Sequence, residues 1–147
     1  MASDPIDLQD YFPFYLGTIS NRWTATSSRI YFEKFGVGIG EWRVLASIRA
    51  LGMASSQEIV ALISMDAASV SRSVAKLETD GLVQRAPGRF VGRTKPYELT
   101  DKGRDLYARL RDVALARETL LLDALNPDER RMLMELMRKV MTRLGEL

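Results

Sequence analysis

Between residues 13 and 35, Leu16, Ile19, Trp23 and Ile30 recur at spacings near three, four and seven, the repeat of a helix with one buried face. Pro13 suits the first turn, where a missing N–H costs no hydrogen bond, and Gly36, Gly38 and Gly40 interrupt the repeat. A second helix follows with Trp42, Leu45, Ile48 and Leu51 on one face and Gly52 at its end. Ser55-Ser56-Gln57-Glu58 then fits a capping box, a hydroxyl cap with a glutamate three residues on, opening a short helix that carries Ile59, Leu62 and Ile63. Ser64 and Met65 leave room only for a tight connection. Asp66 caps the next helix, which runs to about Asp80 with Val70, Val74 and Leu77 inward and Gly81 as its stop.

Here the period changes. Leu82–Arg85 reads as a strand and Lys95–Leu99 as its partner, with Pro87-Gly88 and Gly92 in a long connecting loop. Thr100 is placed to cap a long helix from Asp101 to about Ala124. Asn126-Pro127-Asp128-Glu129 then supplies a cap, a proline at the first helical position and acids at the positive end of the dipole. The last helix carries Leu133, Leu136, Met137, Val140, Met141 and Leu144. The expected fold is therefore mainly α with a small β-hairpin. No repeat, low-complexity stretch or linker divides the chain, so one domain spanning 1–147 is expected.

Composition narrows the chemistry. The 147 residues include no cysteine and no histidine, which removes disulfides, thiol nucleophiles, the commonest general base and most transition-metal ligands. The acidic residues are scattered along helical patterns, so neither an enzyme nor a cofactor is expected. No apolar run reaches the ~18 residues of a membrane span and no signal-peptide pattern opens the chain, so a soluble, cytoplasmic protein is the default. Net charge is only +2, but it is uneven. Residues 1–20 hold Asp4, Asp7 and Asp10 and no base, whereas residues 81–97 hold Arg85, Arg89, Arg93 and Lys95 and no acid.

Two short helices joined by a tight turn and followed by a basic hairpin suit duplex DNA. A helix fits the major groove, and a flanking hairpin can set arginines in the minor groove beside it. With Val70, Val74 and Leu77 inward, the opposite face of the Asp66–Asp80 helix is expected to hold Ala68, Ser69, Arg72, Ser73 and Lys76, with Ser71 at its edge. Small residues permit close approach, and Arg72 has the fork that pairs with guanine O6 and N7.

The ordered set Arg43-Val44-Leu45, Ser56-Gln57-Glu58-Ile59, Val70-Ser71-Arg72, Leu77-Glu78, Gly81-Leu82-Val83, Arg85 and Leu99-Thr100-Asp101-Lys102-Gly103 resembles the multiple antibiotic resistance regulator (MarR) family, from about Leu8 to the C-terminus. The resemblance implies a winged helix-turn-helix with N- and C-terminal dimerisation helices at about 13–35 and 101–147, around a DNA-binding lobe at about 41–100. It further implies a homodimer, a palindromic operator and, commonly, repression relieved by a small ligand. One departure stands out. Many members carry an Asp-Arg-Arg triplet in the wing, and its place here is held by Val91-Gly92-Arg93. Arg93 is then the expected minor-groove residue and Arg89 the second, with Arg89 or Lys95 making up the lost charge. A winged-helix protein-interaction module without DNA binding is the alternative that this departure keeps open.

The terminal helices carry more apolar surface than a DNA-reading unit needs, and pairing with a second chain would cover it. In the family an effector pocket lies between the dimer helices and the DNA-reading lobe. Tyr15, Trp23, Trp42 and Arg43, with Tyr11 and Tyr31 nearby in sequence, are the candidate liners for an aromatic or amphipathic acid.

Overall fold

In the computed structural model, which describes residues 4–88, 90 and 92–146, a single 3-10 turn at Leu8–Asp10 precedes helix α1 (Phe12–Phe35). Then come α2 (Ile39–Leu51), α3 (Ser56–Ile63), α4 (Ala67–Thr79), strands β1 (Val83–Arg85) and β2 (Tyr97–Leu99), α5 (Asp101–Leu121) and α6 (Pro127–Leu144). The chain forms two compact units whose boundary, after Leu110, falls inside α5.

In the first unit, α2, α3 and α4 enclose the core. Val44, Leu45 and Ile48 of α2, Ile59 of α3 and Val70, Val74 and Leu77 of α4 are buried, with Tyr31, Val37, Leu106 and Leu110 around them. Each such aliphatic side chain contributes about 1.5–3 kcal/mol of burial. Leu51, expected on the inner face of α2, is 48% exposed, and Leu62 of α3 is also exposed. Both lie in the last turn of their helices, where fewer neighbours remain to cover them.

The caps form as the sequence requires. Ser55 Oγ accepts from Glu58 N at 3.2 Å while the Glu58 carboxylate accepts from Ser55 N at 2.8 Å, closing the capping box. At the end of α4 the chain makes a Schellman turn: Leu82 N donates to Leu77 O at 2.8 Å and Gly81 N to Glu78 O at 3.0 Å. Gly81 takes the required left-handed conformation at φ 71°. This turn uses Leu82, so β1 begins one residue later than expected.

The hairpin is antiparallel, with Val83 facing Leu99, Gln84 facing Glu98 and Arg85 facing Tyr97. A third segment joins it. Ala54, between α2 and α3, exchanges both backbone hydrogen bonds with Tyr97, at 2.9 and 2.7 Å, which ties the wing to the start of α3. The opening of α5 locks the same corner. Thr100 Oγ1 donates to Gly81 O at 2.7 Å and accepts from Gly103 N at 3.0 Å, while Lys102 Nζ donates to Asp80 O at 2.7 Å. A Cβ at residue 103 would stand 1.9 Å from the Leu82 carbonyl oxygen, so only glycine fits there. The Leu99-Thr100-Asp101-Lys102-Gly103 motif is thus a latch that holds the end of α4 against the base of the wing.

The second unit contains the end of α5 and all of α6. Asn126 Oδ1 accepts from Asp128 N and Glu129 N at 2.9 and 3.0 Å, and the Glu129 carboxylate accepts from Asn126 N at 2.8 Å. No residue of α6 is buried in the single chain. Its stripe of Leu133, Leu136, Val140, Met141 and Leu144 is exposed, Leu144 to 64%.

Candidate nucleic-acid interface

The turn between α3 and α4 is short because Ser64 closes α3 in the left-handed region, at φ 52°, with its N–H on Val60 O. Asp66 follows in extended conformation and caps α4, its Oδ1 accepting from Ser69 N at 2.8 Å. The Ser69 hydroxyl and amide hold the Asp66 carboxyl below its ordinary pKa, with a smaller contribution from the Arg72 charge. Glu58 is lowered in the same way by the backbone and then the hydroxyl of Ser55. Arg72 Nη2 donates to Ser69 Oγ at 2.8 Å. Asp66, Ser69 and Arg72 therefore form a relay that fixes the carboxylate at the helix start and leans the guanidinium toward it.

The solvent side of α4 is the strip Ala68, Ser71, Arg72, Ala75 and Thr79, all exposed and within about a third of the helical circumference. Ser73 is corrected by the structure. It is 6% exposed and lies on the core side with Val70, Val74 and Leu77, its Oγ 3.1 Å from where a Cβ on Gly40 would stand. Three residues turn a helix about 300°, which returns Ser73 to the Val70 side, and its polarity had argued otherwise. Ala75, which sequence reading passed over, takes its place. Stepping three and four residues from Arg72 and Ser71 was the signal available.

Lys76 is exposed but engaged: its ammonium donates to Gly36 O at 3.2 Å and pairs with Asp80 at 2.9 Å. It braces α4 against the C-terminal cap of α1.

The base of the wing is tied by side-chain and backbone contacts. The Arg85 guanidinium lies 3.9 Å above the Tyr97 ring and donates to Lys95 O at 2.6 Å, and Ala86 N donates to Pro96 O at 2.8 Å. Burial pushes the Tyr97 phenol upward, Arg85 opposes this and Glu78 adds to it. Arg93 and Lys95 are exposed, with the Lys95 ammonium 5.6 Å from the Phe90 ring. Arg89 and Val91 lie outside the described residues.

Of the expected ligand-binding set, Trp42 stacks on Tyr107 at 5.5 Å and meets the edge of Tyr31 at 6.2 Å. Half-buried Arg43 donates to Thr24 Oγ1 at 3.4 Å, one residue from half-buried Trp23. Tyr15 stands apart, exposed near the start of α1 and about 12 Å along the helix from Trp23, with its hydroxyl on Gln9 O. Among the described residues no cluster of acidic side chains is placed to hold a metal ion, and no helix is long and apolar enough to cross a membrane.

A short helix, a tight turn, a second helix with an outward arginine and a basic hairpin latched beside it define a winged helix-turn-helix of the DNA-binding class. The profile of the MarR family matches residues 35–94. The chain is 31% identical over 111 residues to YwoH of Bacillus subtilis, an uncharacterized HTH-type transcriptional regulator, a match covering 75% of this chain and 80% of that one. It is 30% identical over 113 residues to the HTH-type transcriptional repressor IacR of Pseudomonas putida, covering 76% of this chain and 66%, just under two thirds, of that repressor. The crystal structure of a MarR/EmrR family transcriptional regulator from Acinetobacter sp. ADP1 superposes with a TM-score of 0.90 at 29% identity, over 97% of this chain and 100% of that one. The chain belongs to the MarR family. That is a family of transcriptional regulators and not of enzymes.

Proposed function

We propose that this regulator acts in the cytoplasm as a homodimeric repressor that binds a palindromic operator and is released by a small aromatic ligand. The observation that carries the reading is the outward strip of α4, where small residues surround an arginine already oriented by Ser69 and Asp66. A strip of this kind passes into the major groove, Arg72 pairing with guanine while Ala68, Ser71 and Ala75 allow the approach. Arg93 and Lys95 of the wing follow the minor groove and the phosphates beside it.

Two exposed apolar stripes, one on α6 and one of Phe12, Leu16 and Ile19 on α1, each favour a second copy of the chain as cover. A two-fold dimer spaces two α4 helices by about one DNA turn, roughly 34 Å, which is why the operator is palindromic. In this reading 1–147 works as a single module, its terminal helices pairing and its 41–100 lobe reading DNA. Release by an aromatic acid rests on the Tyr31–Trp42–Tyr107 cluster, with Arg43 as the cation beside it. IacR is named a repressor, and repression is carried over from that likeness.

The rival reading, a winged-helix module that binds protein alone, draws on the Val91-Gly92-Arg93 departure in the wing. A gel shift with duplex DNA from upstream of the chain's own gene separates the two. Nanomolar-range retention that weakens steeply with salt is the expected result, and retention no stronger than on unrelated DNA would overturn it.

A further inference from the structure

The wing carries an aromatic ring that stands in solvent with one cation beside it. Phe90 is 65% exposed, in the connection between β1 and β2, and its ring has the Lys95 ammonium at 5.6 Å. Gly88 and Gly92 bracket it, both left-handed, at φ 70° and 61°. Both are conformations that a residue without a side chain adopts at little cost. Below the ring the hairpin is tied down: Arg85 lies over Tyr97 and donates to Lys95 O, and the Tyr97 backbone exchanges both of its hydrogen bonds with Ala54. Arg93 lies exposed in the same loop. An exposed apolar ring between two left-handed glycines, carried on a hydrogen-bonded base and accompanied by cations, is the arrangement of a wedge for nucleic acid. The cations settle on phosphates and leave the ring facing the bases.

We infer that Phe90 enters the minor groove flanking the half-site read by α4 and partly unstacks one base step there, while Arg93 and Lys95 hold the adjacent phosphates. The step best suited is pyrimidine–purine, TA or CA/TG, because these steps unstack most easily. The wing then reads deformability at a position where neither arginine reads a base. This rests on the DNA-binding reading above and adds to it a residue and a sequence preference.

The test uses the full chain and duplexes selected by it from random DNA, with 2-aminopurine placed at the candidate step to report unstacking by a rise in fluorescence. Phe90→Ala is expected to bind about tenfold more weakly and to lose both the fluorescence rise and the preference for TA or CA/TG. Its melting temperature and the slope of affinity against salt should stay as in the parent chain, because an exposed ring releases no counterions. Phe90→Trp should keep the fluorescence rise. Equal affinity and equal fluorescence for Phe90→Ala would overturn the wedge while leaving DNA binding in place. A lowered melting temperature or altered self-association of Phe90→Ala would overturn it too, by showing that the ring packs on protein. Failure of the parent chain to select any sequence would overturn the wedge together with the reading beneath it.

Discussion

Helix α4 and the wing, both proposed to meet DNA, are built in opposite ways. On α4 the geometry is set by period: Val70, Val74 and Leu77 fix the inner face, and every outward position follows by rotation. Arg72, the arginine proposed to read DNA, is held in place through Ser69 and Asp66. The wing is ordered at its base and exposed at its tip, where Phe90, Arg93 and Lys95 stand in solvent. A regular element with a pre-set side chain suits recognition of one base pair. A stiff stem with a mixed apolar and cationic tip suits following the shape of a groove. The two are not independent, because the 99–103 latch joins the end of α4 to the foot of β2 through Gly81, Asp80 and Leu82.

Breaking that joint should have the largest effect. Gly103→Ala forces a methyl group into the Leu82 carbonyl and should destabilise the fold by about 3 kcal/mol, read as a fall in thermal midpoint with loss of DNA binding. Retained stability would mean that α5 shifts freely. Next is Arg72→Ala, which should cost about 1–3 kcal/mol of operator affinity and relax the preference at one base pair, with little change in melting. Arg93→Ala sharpens the contrast between the regions. It should weaken all duplexes alike and reduce the salt slope by about one, as measured by titration at several salt concentrations.

Ser69→Ala removes the hydroxyl between Asp66 and Arg72 but leaves the backbone cap, since Asp66 accepts from the Ser69 amide. A loss of about 0.5–1.5 kcal/mol in operator affinity is expected, smaller than for Arg72→Ala and absent in the Arg72→Ala background. The smallest effect is in pH. Asp66 and Glu58 are both lowered in the folded chain, so the stability they add is fully present above the ordinary carboxylate range, near pH 4. It is lost as pH falls through their lowered folded values. Asp66→Ala should therefore melt below the parent chain at neutral pH, and the gap should close in acid. A gap that does not narrow as pH falls would show that the cap acts through something other than charge.

Most of the fold was legible in the sequence. The capping box at Ser55, the Asn126 and Asp66 caps and the Gly81 stop are local chemistry, and each sits where the sequence placed it. What escaped depends on distant partners. Ser73 is polar yet buried because it faces Gly40 on α2. The Ala54–Tyr97 bridge joins residues 43 apart in the chain, and no local pattern announces a one-residue strand. Lys76 reads as a solvent-facing cation, but its partner is a carbonyl at the end of α1. The wing was least legible of all, because a loop with two left-handed glycines has no period from which to infer which side chains point outward.

The central claim is that α4 reads DNA through Arg72, and parallel selection from random duplexes by the parent chain and by Arg72→Ala tests it most directly. The parent chain should enrich a palindrome with half-site centres about ten base pairs apart. The variant should lose information at one G·C pair in each half, at symmetric positions, and keep the rest. Enrichment of the same sequence by both chains, or of none by the parent chain, would contradict the account.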